Sequence, residues 1–256
     1  MNSLAFVCAA TIGVVLGALG GGGSILTVPV FVYVLHFEPK QAIAMSLPVV
    51  GITSLVGAFG HWREGHIEGR PALTFGALAM AGAFSGARLA AFVSGTTQLI
   101  LLGAVMAAAA ISMLRSSRVK RSAAVAHKHA EPAQRSLLIV AALACAIGAL
   151  TGLIGIGGGF LFVPALVLLA RMPMKHAIGT SLAVIAMNSA AGFAGYVGRV
   201  FIPWDVVTLF IVVASGGILS GVYLVRLIEQ STLRRAFGMF LLLVAGLMLY
   251  ENLVWP

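Results

Sequence analysis

The chain has 256 residues, of which 60% are hydrophobic and 9% charged, and its net charge is +9. A soluble domain carries about 25% charged residues, so a water-facing globule is excluded and the solvent for most of the surface is lipid. Nucleic-acid binding is excluded as well, because Lys and Arg sit in short loops between apolar spans and form no basic face or recognition module.

Apolar runs cover roughly residues 4–35, 41–60, 71–92, 98–114, 136–170, 176–197, 205–225 and 234–250. Most have the length of about 17–25 residues that one helix needs to cross the hydrocarbon core. The run at 4–35 lacks a basic leader and has a related copy mid-chain, so it reads as a retained membrane element and not a cleaved signal. At about 1.5 Å rise per residue, a single helix over 4–35 or 136–170 would be near 50 Å long. Each is therefore expected to be two partial helices meeting at a glycine turn. Cys8 and Cys145 lie in apolar stretches, make no metal-ligand spacing, and read as small buried residues.

The chain repeats itself. Gly13 and Gly148 stand 135 positions apart, and the same offset pairs Gly17 with Gly152, Gly20 with Gly155, Pro29 with Pro164, Lys40 with Lys175, Ser46 with Ser181, and Gly82 and Gly86 with Gly217 and Gly221. The organisation that follows is a first membrane repeat at 1–114, a basic cytoplasmic linker at 115–135 and a second repeat at 136–256. The linker holds Arg115, Arg118, Lys120, Arg121, Lys128 and Arg135, which places it inside. His127 and His129 read as solvated loop residues, and no metal site or cofactor is assigned.

Orientation follows from the cations. If each half crosses four times, Lys40, Arg171, Lys175, Arg226, Arg234 and Arg235 fall outside, while Arg63, Arg70, Arg199 and the linker lie inside. If the first segment of each half enters and returns on one side, each half crosses three times and the repeats are inverted. Of the 16 Lys and Arg, only Lys40 and Arg199 then fall outside, with Arg88 inside a span. The positive-inside rule favours the second arrangement. The expected fold is all-α: a polytopic helical membrane protein of two inverted repeats, each with a glycine-broken, re-entrant first segment.

Candidate chemistry concentrates at the glycine clusters, Gly20-Gly21-Gly22-Gly23-Ser24 and Gly155-Ile156-Gly157-Gly158-Gly159. Glycine costs about 1 kcal/mol against alanine inside a helix, so four in five positions are expected to unwind the backbone. Unwound backbone at membrane depth is tolerated only beside protein, water or solute. A half-helix starting near Ser24 or Phe160 aims free N–H groups and a positive dipole end at the break, which makes an anion site. Two such ends, one from each half, are expected to meet near the midplane. Gly82-x-x-x-Gly86 and Gly217-x-x-x-Gly221 read instead as helix-packing seams. A dinucleotide loop is excluded by spacing.

Further candidates recur in both halves: Ser46, Thr53 and Ser54 align with Ser181, Asn188 and Ser189. Thr180 lies beside Ser181. Such neutral donors suit oxyanion oxygens, although a membrane hydroxyl often bonds its own i−4 carbonyl. Asn188 ranks above the serines because it is costlier to bury unpaired. Lys40 and Lys175 are equivalent cations, suited either to interfacial anchoring or to recruiting an anion at the mouth of a pathway. His61-Trp62-Arg63 reads as an interfacial cluster, and no intramembrane carboxylate supports a proton relay.

Gly17-x-x-Gly20-Gly-Gly-Gly-Ser24-x-x-x-x-Pro29, its second copy from Gly152 to Pro164, and the pair Gln41-Ala-Ile-Ala-Met-Ser46 and His176-Ala-Ile-Gly-Thr-Ser181 resemble the TauE/SafE family of bacterial membrane permeases, often called sulfite exporters. The resemblance covers nearly the whole chain. It implies a multi-pass inner-membrane transporter of a small sulfur-containing anion such as sulfite, a sulfonate or thiosulfate; a passive anion channel is the alternative. An enzyme is not expected, because no nucleophile, metal cluster or carboxylate pair lies within the spans. The expected substrate-binding set is Gly21, Gly22, Gly23, Ser24, Ser46, Gly157, Gly158, Gly159, Thr180, Ser181 and Asn188. Expected partners are the anion and the lipid bilayer, with a homo-oligomer left open.

Overall fold

The computed structural model describes residues 3–123, 137–155, 159–168 and 172–254. Among them every regular element is helical. The first half runs α1 (Ser3–Leu19), α2 (Gly22–Pro29), α3 (Pro39–Arg63), α4 (Gly69–Leu89) and α5 (Gly95–Ala123). The second runs α6 (Leu137–Ile154), α7 (Gly159–Leu168), α8 (Met174–Tyr196), α9 (Trp204–Leu227) and α10 (Gln230–Val254). Among the described residues six helices are long and apolar enough to cross a membrane, namely α3, α4 and α5 and their counterparts α8, α9 and α10. The protein is a multi-pass membrane protein.

Both long runs are broken as their length requires. After Gly22–Pro29 the chain continues as a wider turn of π-helix, Val30–Val34, closed by Leu35 N–H donating to Val30 O at 3.0 Å. Pro29, which has no N–H and crowds the preceding turn, stands at the transition. At the linker the outcome differs from a loop: α5 continues to Ala123, carrying Arg115, Arg118, Lys120 and Arg121 in helix. Lys, Arg, Ala and Ser extend a started helix at little cost, whatever their polarity. His127 and His129 lie outside the described residues.

The architecture is a central pair with three flanking pairs. About 72% of the apolar stretch of α3 and 67% of that of α8 is buried, against 33–44% for the other four spanning helices. These two form the centre and run antiparallel: Leu47 meets Gly192, Gly51 meets Ser189 and Gly57 meets Leu182. Around them α1 packs on α9, α6 on α4, and α5 on α10. The flanking seams are glycine interlocks. Gly13 and Gly17 press on Ala214 and Ile218, while Gly217 and Gly221 press back on Ala10 and Val14. Gly148 and Gly152 meet Ala79 and Ala83, while Gly82 and Gly86 meet Cys145 and Ala149. Every contact in the first seam maps onto one in the second at the 135-residue offset, and the packing reading of both small-residue motifs holds.

The exterior is apolar, with Leu73, Phe92 and Leu227 outward. Cys145 corrects the sequence reading in the same way, since it is exposed and Cys8 only half-buried. In a membrane protein an apolar stretch has a lipid-facing side, so apolar neighbours do not imply burial.

Candidate functional site

The two helix breaks open in the same way. α1 stops at Leu19 and Gly20 takes φ +72°; α6 stops at Ile154 and Gly155 takes φ +76°. Glycine enters this left-handed region without a Cβ penalty. A Cβ would also have no room, meeting Ser181 Oγ at 2.9 Å and Val163 Cγ2 at 3.0 Å at Gly20, and Ile43 at Gly155. The extent of unwinding is smaller than the glycine count predicts. In the first copy only Gly20 and Gly21 leave the helix, and Gly22, Gly23 and Ser24 form the opening turn of α2. Tertiary contact overrides propensity there: α2 folds back on α1 and sets Gly23 against Ile12 and Leu16, where any side chain would collide. Gly157 and Gly158 lie outside the described residues, and Gly159 opens α7.

Each break exposes carbonyls at the end of a helix, and side chains answer them. His61 Nε2 lies 3.3 Å from Gly17 O, in the last turn of α1. At the offset position Tyr196 hydroxyl donates to Gly152 O at 3.5 Å and Leu153 O at 3.3 Å, in the last turn of α6. Gln98 Nε2 also donates to Leu153 O at 2.8 Å. Ser46 Oγ donates to Gly155 O at 2.7 Å, across the halves, and Ser24 Oγ to Gly21 O at 2.6 Å. The amide side differs. The N-cap of α2, Gly21, carries no side-chain cap, so the positive end of that half-helix is left for another acceptor.

The other predicted residues sort by how their hydrogen bonds are used. Ser46 and Ser181 bond their own turns at Ile43 O and Ile178 O, each at 2.8 Å, and Thr53 bonds Val49 O at 2.6 Å. Ser24, Ser46 and Ser181 thus direct their hydroxyl hydrogens at carbonyls and shape the breaks. Thr180 Oγ1 accepts from Glu68 N–H at 3.1 Å. Asn188 Nδ2 donates to Thr151 Oγ1 at 3.0 Å, fastening α8 to α6. Ser54 and Ser189 stand apart: both are buried, both hydroxyls lack a hydrogen-bond partner, and they are equivalent by the offset. A buried hydroxyl without a partner is uncommon and needs a reason.

Gly20 packs at Ile178 and Ser181 of α8, and Gly155 at Ile43 and Ser46 of α3. These are the second turns of antiparallel helices, so the breaks lie toward opposite ends of the central crossing and do not meet. With Gly57 level with Leu182, the two stand about 18 Å apart along it at 1.5 Å per residue. Ser54 and Ser189 fall between them. Lys40 and Lys175, half-buried, sit in the opening turns of α3 and α8, one toward each end.

Sequence reasoning missed Gln98 and Tyr196, and misjudged His61, which is wholly buried while Trp62 and Arg63 point outward. The offset was the available signal for the last two, since it pairs His61 with Tyr196.

Comparison with known proteins identifies the family. The family model for the sulfite exporter TauE/SafE matches residues 5–248. A probable membrane transporter protein of Xylella fastidiosa (strain Temecula1) is 33% identical over 244 residues, covering 94% of this chain and 92% of its own. The probable membrane transporter protein YdhB of Bacillus subtilis is 28% identical over 240 residues, covering 93% and 96%. No solved structure matches the chain.

Proposed function

Because this chain belongs to the TauE/SafE family and is a membrane transporter, we propose that it carries a small sulfur-containing anion, such as sulfite, a sulfonate or thiosulfate, across the bacterial inner membrane by secondary transport. One observation carries the anion reading. At the first break His61 serves the Gly17 carbonyl in the last turn of α1 and Ser24 the carbonyl of Gly21, while the opening amides of α2 have no side-chain cap. Uncapped helix-opening amides favour negative charge.

The pathway runs along the α3–α8 crossing. An anion meets Lys40 or Lys175 at an end, the amides of Gly21, Gly22, Gly23 and Ser24 or those of Gly157, Gly158 and Gly159 at a break, and Ser54 and Ser189 between. Ser46, Thr180, Ser181 and Asn188 hold these donors in place. The polar side chains of the crossing are exposed by 1% or less, which favours an occluded carrier over a standing channel.

The halves are inverted in this reading, with 115–135 and both loops of the His61 face in the cytoplasm. Three contacts support it: α3 and α8 are antiparallel, Glu68 N–H reaches Thr180 in the opening turns of α8, and Gln41 Nε2 donates to Phe201 O at 3.2 Å. The four-crossing alternative puts the members of both latter pairs on opposite sides of the membrane.

Proteoliposomes loaded with sulfite, sulfate, thiosulfate, taurine or sulfoacetate test the proposal. Saturable flux of a sulfur oxyanion that concentrates against its own gradient under an imposed proton or sodium gradient is expected. Uncoupled, non-saturating conductance would make the protein a channel, and no flux of any of these anions would remove the substrate class.

A further inference from the structure

The end of α3 builds a cluster that the transport reading does not use. The helix closes in a left-handed turn at Gly65, φ +73°, with His66 N–H donating to His61 O and Gly65 N–H to Trp62 O, each at 3.0 Å. This pair of bonds is the Schellman closure, which brings the side chains of its first and last residues together, usually as an apolar contact. Here the two residues are imidazoles, with ring centroids 5.9 Å apart and Glu64 between them. One ligating atom from each of His61, Glu64 and His66 lies within 4.8 Å of the others. The Nδ1 of His66 is 3.3 Å from Glu64 Oε2.

His61 is set up as a ligand. A carbonyl only accepts, so the contact with Gly17 O places the ring proton on Nε2 and leaves Nδ1 with its lone pair. That Nδ1 is buried and has no hydrogen-bond partner. A ring held through one nitrogen by a backbone carbonyl, with its other nitrogen left unpartnered and a carboxylate and a second imidazole adjacent, is an arrangement that orients metal-bound histidine. A third imidazole is adjacent: the His176 ring of α8 lies 5.6 Å from that of His66, and its Nδ1 is 3.7 Å from Glu68 Oε1. The nearest strong positive charge on the same turn points elsewhere, since the Arg63 guanidinium stacks over Phe59 at 5.7 Å.

We propose that His61, Glu64 and His66 form a binding site for a divalent first-row transition cation, Zn2+ above all, with His176 of the second half as the fourth ligand. Two or three imidazoles with one carboxylate are the donor set of zinc and its neighbours and are too rich in nitrogen for Mg2+ or Ca2+. Zinc bonds of about 2.0–2.2 Å set tetrahedral ligands about 3.4 Å apart, so the cluster closes by roughly 1.5 Å through rotation of Glu64 and His66, the two less buried members. Bound there, the cation ties the end of α3 to the start of α8, and through Gly17 to the first helix break. It would act on one face only.

Tag-free full-length protein, stripped with a chelator in detergent, is titrated with Zn2+ by calorimetry and with Co2+ by visible absorption. One Zn2+ per chain, intense four-coordinate Co2+ bands and a rise in Tm with Zn2+ are expected. Glu64→Gln and His66→Asn should each weaken Zn2+ binding at least about tenfold, while a His127→Ala/His129→Ala double variant keeps it. Absence of stoichiometric binding by the stripped wild-type protein overturns the proposal, as does binding that survives both cluster variants or is lost with the linker histidines. The wild-type Co2+ spectrum decides the matter even if a variant does not fold: bands of a six-coordinate, oxygen-only site also count against it.

Discussion

Two turns at the ends of the central helices occupy equivalent places and do different things. After α3 the chain reads His61-Trp62-Arg63-Glu64-Gly65-His66 and faces His176; after α8 it reads Tyr196-Val197-Gly198-Arg199-Val200-Phe201 and faces Gln41. Both begin with a ring that serves a carbonyl at a helix break, Gly17 for His61 and Gly152 with Leu153 for Tyr196. Beyond that shared duty the first turn gathers imidazoles and carboxylates. The second lines an apolar cavity of about 390 Å3 with Phe193, Val197, Phe201, Ile202 and Trp204. The difference teaches that duplication holds strictly where backbone must be satisfied or packed, and relaxes where only solvent or a ligand is met.

The largest effect should come from the interlocked seams, where the halves are most alike. Gly86→Leu and Gly221→Leu each drive a side chain into the backbone of a neighbouring helix. Both are expected to cost more than about 4 kcal/mol and to abolish the monodisperse peak in size-exclusion chromatography. If only one does so, equal contacts do not mean equal energies.

Next come the breaks. Both Gly155→Ala and Gly20→Ala force a left-handed φ on alanine; the first also drives a Cβ into Ile43, whereas the second meets Ser181 Oγ, Val163 and the Ile178 backbone less closely. Both should slow anion flux in proteoliposomes through a shared backbone strain of about 1–2 kcal/mol, and Gly155→Ala further than Gly20→Ala because of the closer collision with Ile43. Equal rates would mean that Ile43 yields freely.

The carbonyl-serving rings sharpen the comparison directly. His61→Leu removes the ring that serves Gly17 O, while Tyr196→Phe leaves Leu153 O with Gln98. Thermal melting without metal should show a loss of about 1–3 kcal/mol for the first and near the lower end of that range for the second. The reverse order would separate the two turns in function as well as composition.

The smallest effect on stability is expected at the central serines. Ser54→Ala with Ser189→Ala removes two hydroxyls that make no hydrogen bond in the fold, so Tm should hold or rise slightly while the KM for the transported anion increases several-fold. Unchanged KM would take the serines off the pathway. In the same assay Asn188→Ala is expected to weaken binding more than Lys175→Ala, because Asn188 fastens α8 to Thr151 from a buried position.

The membrane class, the spanning segments, the duplication and both break points were legible in the sequence, because each depends on local and additive quantities: apolar length, glycine propensity and register. The offset could even have paired His61 with Tyr196. Other features required the folded chain. That Gly22 and Gly23 stay helical follows from α2 lying on α1, and that Ser46 serves the Gly155 carbonyl follows from which break the start of α3 meets. The separation of the two breaks to opposite ends of the crossing, the unspent hydroxyls of Ser54 and Ser189, and the meeting of His66 with His176 have the same origin. All are relations between residues far apart in the chain, and in lipid, where apolar contact does not distinguish one neighbour from another, they are decided by which small residues let two helices close and which buried polar groups must then be satisfied.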